Sequence, residues 1–87
     1  MSYNRWKDKI KGFETMDVRG LKLDFLPELR KKALGTAEGE GLHIIQNFRP
    51  YPLYPVMKAM GYESYTEQTD RDEYHMYFYK KRKGEWK

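Results

Sequence analysis

The complete absence of cysteine constrains this chain more than any other feature of its sequence. No disulfide or zinc–thiolate site can form, so ordinary apolar packing has to hold the fold together. A length of 87 residues is enough for one domain, whereas two separate cores would be too small to be stable. The same absence excludes thiol nucleophiles and persulfide carriers. Because cysteine-free chains fit a reducing compartment and no leader or membrane-spanning segment is evident, we expect a cytoplasmic protein.

The net charge of +4 is concentrated at the two ends. Residues 1–12 carry a local charge of +3 and residues 80–87 carry +4, while the stretch between them carries −3. We therefore divide the chain into a basic N-terminal segment, a folded domain and a basic C-terminal tail, at 1–12, 13–80 and 81–87. Lysine-rich ends favour solubility, and they can also attract nucleic acid by a salt-sensitive field.

Alternation of apolar and polar residues predicts four strands, at 13–18, 42–48, 62–69 and 74–79. An apolar stripe after Asp24, the expected N-cap, predicts a first helix with Gly35 as its C′ residue. A second helix is predicted from the spacing i, i+3, i+4, i+7 of Leu53, Val56, Met57 and Met60. Pro55 must then lie in its first turn, where the missing N–H has no intrahelical partner.

The resulting order is β-α-β-α-β-β. Two helices and four strands are best packed as an α+β two-layer sandwich, with both helices on one face of a mixed four-stranded sheet. The other sheet face must then meet solvent, a partner or the N-terminal segment. Whichever way the last two strands point, tyrosines lie on that face.

The string MDVRGLKLD, residues 16–24, resembles the opening of TusA/SirA-type sulfur carriers. In that family the first strand ends in Asp-x-x-Gly-Leu, followed by Cys-Pro-x-Pro at the start of the first helix. In an ungapped alignment Leu23 stands at the position of the sulfur-carrying cysteine, and Asp24 and Leu26 stand at the two prolines. The resemblance implies the fold over roughly residues 13–80, and the missing cysteine implies that sulfur transfer is lost.

A cysteine-less, uncharacterised branch of that fold is more similar still. Its members share Asp-x-Arg-Gly after the first strand and a Pro-x-Pro-Leu segment before the second helix, here Pro50-Tyr51-Pro52-Leu53, with Gly61 after it. They are stand-alone domains, or modules beside hemerythrin-like domains. This resemblance implies a fold and transfers no activity.

We expect a binding site where the first two strands end, because the carboxyl ends of parallel strands and the helix N-termini beside them are common places for ligands. The residues concerned are Asp17, Arg19, Gly20, Asp24, Arg49, Pro50 and Pro52. The occupant would be a protein partner or a small anionic ligand. A second interpretation is structural: Asp24 caps the helix, Arg19 pairs with a carboxylate, and the prolines only shape the turn.

The tyrosine-rich face gives an alternative function, the binding of RNA or single-stranded DNA by stacking on aromatic side chains beside a basic tail. It would use Tyr77, Tyr79, Lys80, Lys81, Arg82 and Lys83. The acidic residues around 63–73 oppose this interpretation because they repel phosphate, and a protein-docking face is favoured.

His43 and His75 could lie on adjacent strands, but no third ligand accompanies them, so we predict no metal site and no cofactor. The chain has no glycine-rich phosphate loop, no nucleophile elbow and no HExxH string. We therefore expect a non-enzymatic accessory domain that binds a protein partner or a small anion, away from membranes.

Overall fold

The computed structural model describes residues 7–82, so the predictions for residues 1–6 and 83–87 lie outside the described residues. Its elements are a 3-10 turn at Lys7–Gly12, β1 at Glu14–Asp17, α1 at Leu26–Gly35, β2 at Gly41–Gln46, α2 at Leu53–Ala59, β3 at Tyr62–Asp70 and β4 at Glu73–Lys80. The predicted order β-α-β-α-β-β is confirmed. Within residues 7–82, neither α1 nor α2 is long and apolar enough to cross a membrane.

The four strands form one mixed sheet in the order β1-β2-β4-β3. β1 and β2 are parallel, a pairing that needs a crossover connection such as α1, and β4 is antiparallel to both of its neighbours. β3 and β4 are joined by a turn at residues 71 and 72, which confirms the predicted hairpin. β1 and β3 are consequently the two edges of the sheet.

Both helices cover the same sheet face, as predicted. Leu29 and Ala33 of α1 and Leu53 and Met57 of α2 are buried in one cluster with apolar side chains of the strands, namely Leu42, Ile44, Met76 and Phe78. Each large apolar side chain removed from water in this way stabilises the fold by about 1.5–3 kcal/mol. The cluster includes a buried polar contact, in which the Tyr62 hydroxyl donates to the carbonyl of Ala33 at 2.7 Å.

One end of the opposite sheet face is covered by the 3-10 turn. Phe13 and Tyr79 are buried there, and Ile10 packs against them. The approach is so close that a Cβ on Gly41 would collide with the Phe13 ring and with the carbonyl oxygen of Phe78. The rest of this face carries Thr15, His43, Tyr77 and Tyr65 in one row across the strands.

The predicted ends of α1 are corrected by the structure. Asp24 does not cap the helix: the N-cap is Phe25, without a side-chain hydrogen bond, because the chain makes an extra turn through Lys22, whose φ is 55°. Gly35 lies inside the helix and does not adopt the left-handed C′ conformation. The final turn is instead closed by Thr36, whose hydroxyl donates to the carbonyl of Lys32 at 2.8 Å.

β2 ends two residues earlier than predicted, at Gln46, and the side chain of this residue explains why. Gln46 is fully buried; its Nε2 donates to the Lys22 carbonyl at 2.9 Å, and its Oε1 accepts the N–H of Asn47 at 2.8 Å. This amide gives the Lys22 carbonyl and the Asn47 N–H a hydrogen-bond partner where the strand ends, and it thereby connects β2 to the loop before α1. In α2, Pro55 lies in the first turn as predicted. Val56, which belongs to the apolar stripe that predicted this helix, is nevertheless 48% exposed.

Candidate functional sites

The structure brings together the loops that follow β1 and β2, as the sequence predicted. The Gly20 N–H donates to Asn47 Oδ1 at 2.7 Å, and Gly20 adopts a φ of 87°, which favours glycine. Asn47 Nδ2 in turn donates to the Asp72 carbonyl at 3.3 Å. Together with the bond from Gln46 to Lys22, these contacts make the carboxyl ends of the parallel strands one connected surface.

Arg19, the central residue of the predicted anion site, is already paired. Its Nε and Nη2 donate to the two carboxylate oxygens of Asp17 at 2.9 and 2.7 Å, and its Nη1 lies 3.3 Å from Glu73 Oε1. Hydrogen bonds from Arg19 lower the pKa of the Asp17 carboxyl from its usual value. An anion would have to compete with two carboxylates for this guanidinium, so the geometry agrees with the ion-pair interpretation.

Three of the other predicted residues, Arg49, Pro50 and Pro52, lie in the turn before α2. Pro50 is buried and Pro52 is the N-cap of α2. The Arg49 guanidinium carbon lies 5.9 Å from the Tyr51 ring centroid, and within residues 7–82 no carboxylate pairs with it. Asp24 is exposed in the loop before α1.

The residues of the predicted nucleic-acid surface are divided between the two sheet faces. Tyr77 stacks on His43, with ring centroids 4.5 Å apart, and also on Tyr65 at 6.0 Å. The expectation that Tyr79 could stack a base is corrected, because its ring is 2% exposed beneath the 3-10 turn. Lys80 donates to the Thr36 carbonyl at 2.9 Å, with its Nζ 5.9 Å from the Tyr62 ring centroid.

Of the basic tail, Lys81 is half-buried, Arg82 is exposed beside Gly39, and Lys83 lies outside the described residues. The tyrosines and lysines of this prediction therefore do not form one continuous stacking surface in the described part of the chain.

A row of hydrogen-bonded side chains crosses the open sheet face. Thr15 Oγ1 lies 3.1 Å from His43 Nδ1, His43 Nε2 lies 2.7 Å from His75 Nδ1, and His75 Nε2 lies 2.6 Å from Glu73 Oε2. Burial, and secondarily the charge on His75, lowers the pKa of His43, and the hydrogen bond from His75 lowers the pKa of Glu73. Among residues 7–82 no group of three or more His, Cys, Asp or Glu is placed to hold a metal ion.

An apolar cleft of about 460 Å³ lies between the two helices, on the side away from the sheet. Leu26, Pro27 and Arg30 of α1 line one wall, and Pro52, Val56 and Met60 line the other. The apolar surface continues around α1 to Leu34, which is 66% exposed. The sequence showed the helical stripes but not that Val56 would remain at the surface, since that depends on the distance between the helices.

A scan of protein-family models, a search of curated proteins and a search of solved structures found no match to this chain.

Proposed function

We propose that this chain is a non-enzymatic accessory domain that binds a protein partner in the cleft between α1 and α2. The occupant we propose is an amphipathic helix with apolar residues on one face and acidic residues beside them. The observation that carries this proposal is the cleft itself: it exposes apolar side chains on both walls and has one basic residue, Arg30, at its edge. Helices commonly bind in grooves of this kind through a few apolar anchors.

The acidic character of the partner follows from charge complementarity. Arg30 lines the cleft and Lys31 lines the adjoining groove around α1, and neither has an ion-pair partner within residues 7–82. Lys32, in contrast, is paired with Glu14 at 2.6 Å. Glu28 is the single acidic residue of the two helices. An unpaired cation at the edge of an apolar groove favours acidic partners and disfavours basic ones.

The cleft extends to the surface predicted from the sequence. Pro52 belongs both to the predicted site and to the cleft wall, and Tyr51 beside it is 64% exposed. Because Arg19 is engaged by Asp17 and Glu73, we favour a protein partner over a small anion. The proposed TusA/SirA-like ancestry is compatible with this function: Leu23, at the cysteine position of the alignment, is 41% exposed. That surface position now offers an apolar side chain in place of a thiol. The cytoplasmic location stays a prediction.

A synthetic amphipathic peptide tests this proposal. One version has leucines on one face and glutamates on the other; the control version has lysines in place of the glutamates. We expect saturable binding of the glutamate peptide by fluorescence anisotropy, with backbone NMR shifts confined to α1 and α2. The lysine peptide should bind at least about tenfold more weakly, which corresponds to a loss of about 1.4 kcal/mol of binding free energy.

Two surface substitutions locate the binding. Val56→Asp places a charge in the cleft, and Arg30→Glu reverses the charge of its rim; each should weaken binding of the glutamate peptide by about tenfold. The matched control is Arg71→Glu, which makes the same charge change at the exposed β3–β4 turn. Equal loss with the control, or no saturable binding by the unmodified chain, would show that the cleft is not the docking site.

A further inference from the structure

The hydrogen-bonded row on the open sheet face can hold only certain numbers of protons. Thr15 comes from β1, His43 from β2, and both His75 and Glu73 from β4, so the row connects three strands. It lies on the sheet face opposite the helical cleft, and the inference drawn from it does not depend on the proposed function. Each contact in the row needs one atom that donates a proton and one that accepts it.

At neutral pH one arrangement of protons satisfies every contact. The ionised Glu73 carboxylate can only accept, so His75 Nε2 must carry a proton and donate it. Neutral His75 then has a lone pair on Nδ1, which accepts from His43 Nε2 at 2.7 Å. His43 Nδ1 is left without a proton and accepts from the Thr15 hydroxyl. The four ring nitrogens therefore hold two protons.

One more proton fits, and it must enter at the Thr15 end of the row. His43 Nδ1 is the one ring nitrogen free to be protonated, and the Thr15 hydroxyl can rotate to become an acceptor. The proton between the two rings can then shift toward either histidine. A fourth proton does not fit, because two N–H groups would face each other across 2.7 Å while both rings are charged.

We propose that His43 and His75 form a one-proton relay: a proton taken up beside Thr15 on β1 places positive charge against Glu73 on β4. The charge settles at the Glu73 end because the carboxylates there are closest. Glu73 contacts His75 at 2.6 Å, Asp17 acts on His75, and Glu67 of β3 is paired with it in the strand register. Arg19 is the one cation that contacts these acids in the described part of the chain.

The consequence is a pH-dependent charge on the open sheet face. Three carboxylates and one guanidinium give this region a net charge of −2 when the rings are neutral, and −1 when the relay holds its extra proton. Asp17 and Arg19 are 48% and 44% exposed, so the change reaches the protein surface. Tyr77, stacked on His43, adds no charge at these pH values, because a phenol ordinarily ionises only near about pH 10 and burial raises the pKa of Tyr77 further.

Imidazole nitrogen NMR of the full chain tests the relay directly. At about pH 8, well above the usual histidine pKa of about 6.5, both rings should be Nε2–H tautomers with Nδ1 unprotonated. Acidification toward about pH 5 should protonate His43 Nδ1, and the shifts of the two rings together should change by one imidazolium equivalent. Two complete imidazolium rings in the folded protein at the lower pH would overturn the proposal, as would a Nδ1–H tautomer of His43 at the higher pH.

Three variants separate the relay from ordinary surface titration. Glu73→Gln keeps an acceptor but removes the charge, and should lower the titration midpoint of the pair by about one pH unit. Glu28→Gln, on the helical side, should leave the midpoint unchanged. His43→Gln removes the ring that takes up the proton beside Thr15, so the protonation step shared by the pair should disappear. Equal shifts in the two glutamate variants would refute the assigned role of Glu73.

Discussion

The histidine pair makes the stability of this protein depend on pH in a way that can be calculated. The perturbation is acidification from about pH 7.5 to about pH 5, the range in which a histidine with its usual pKa of about 6.5 changes charge. The chain contains two histidines and no cysteine, so the groups that titrate in this range are few. In the folded protein both histidines belong to the pair, whereas in the unfolded chain each titrates independently.

The sign follows from counting protons. Below the usual histidine pKa the unfolded chain binds two protons and the folded pair binds one, so lowering the pH favours unfolding. The lowered pKa of His43, caused first by burial and then by the charge on His75, acts in the same direction. The contribution is present above the usual pKa and is lost as the pH falls below it. Asp17 and Glu73, whose pKa values are lowered, lose their contributions only at more acidic pH.

The magnitude follows from the one excluded proton. A difference of one bound proton gives a slope of about 1.4 kcal/mol per pH unit, and integration from about pH 7.5 to about pH 5 gives a loss of about 2 kcal/mol. A chain of 87 residues has a typical total stability of about 4–13 kcal/mol. The predicted loss is therefore large enough to measure.

Urea unfolding followed by far-UV circular dichroism, repeated at several pH values, measures this dependence. We expect the midpoint to fall steadily toward the lower pH while the urea dependence of the unfolding free energy stays constant. His43→Gln serves as the control and should lose most of the slope. A flat profile, a rise in stability on acidification, or an unchanged slope in the control would refute the reasoning.

Further predictions concern packing and buried hydrogen bonds, and urea unfolding checks each of them. Gly41→Ala should destabilise the fold by about 1–3 kcal/mol because its Cβ has no room; Gly35→Ala, in a helical position with open space around it, should stabilise by up to about 1 kcal/mol. Gln46→Leu should cost about 1–3 kcal/mol by leaving backbone groups unsatisfied. Tyr62→Phe should cost about 1 kcal/mol, and exposed Tyr51→Phe close to nothing. If Gly41→Ala proved neutral, or the two tyrosine variants proved equal, the assigned contacts would be wrong.

Periodicity was sufficient to predict the order of the elements but not their ends. The stripe in α2 and the alternation in β3 and β4 are local patterns, and the structure confirms the elements they predict. The start of α1 was wrong because Lys22 adopts a left-handed conformation that propensity disfavours. Its carbonyl is held by Gln46, which is 24 positions away in the chain. No local rule could reveal that pairing.

The histidine row shows the same limit at the candidate site. The predicted strands place His43 and His75 in one sheet, and the chemistry that such a pair suggests is metal binding, for which the sequence offers no third ligand. The deciding fact is the register, which places Ile45 opposite His75 and His43 opposite Tyr77, so the two rings meet diagonally. Register depends on the packing of the whole sheet. The register of β1 against β2 likewise places Thr15 beside His43, a contact that could not be predicted from local sequence.

The exposed edge of β3 has a consequence for how copies of this protein behave together. Within residues 7–82, no strand pairs with the outer edge of β3, which is nine residues long, and such an edge is a template on which another chain could add its own strand. Three acidic side chains distributed along it, Glu63, Glu67 and Asp70, make neighbouring copies repel one another there. Repulsion between these carboxylates protects the protein against fibrous aggregation through β3. Strong acid, which protonates them, or high salt, which screens their charge, would weaken this protection while the hairpin itself is still folded.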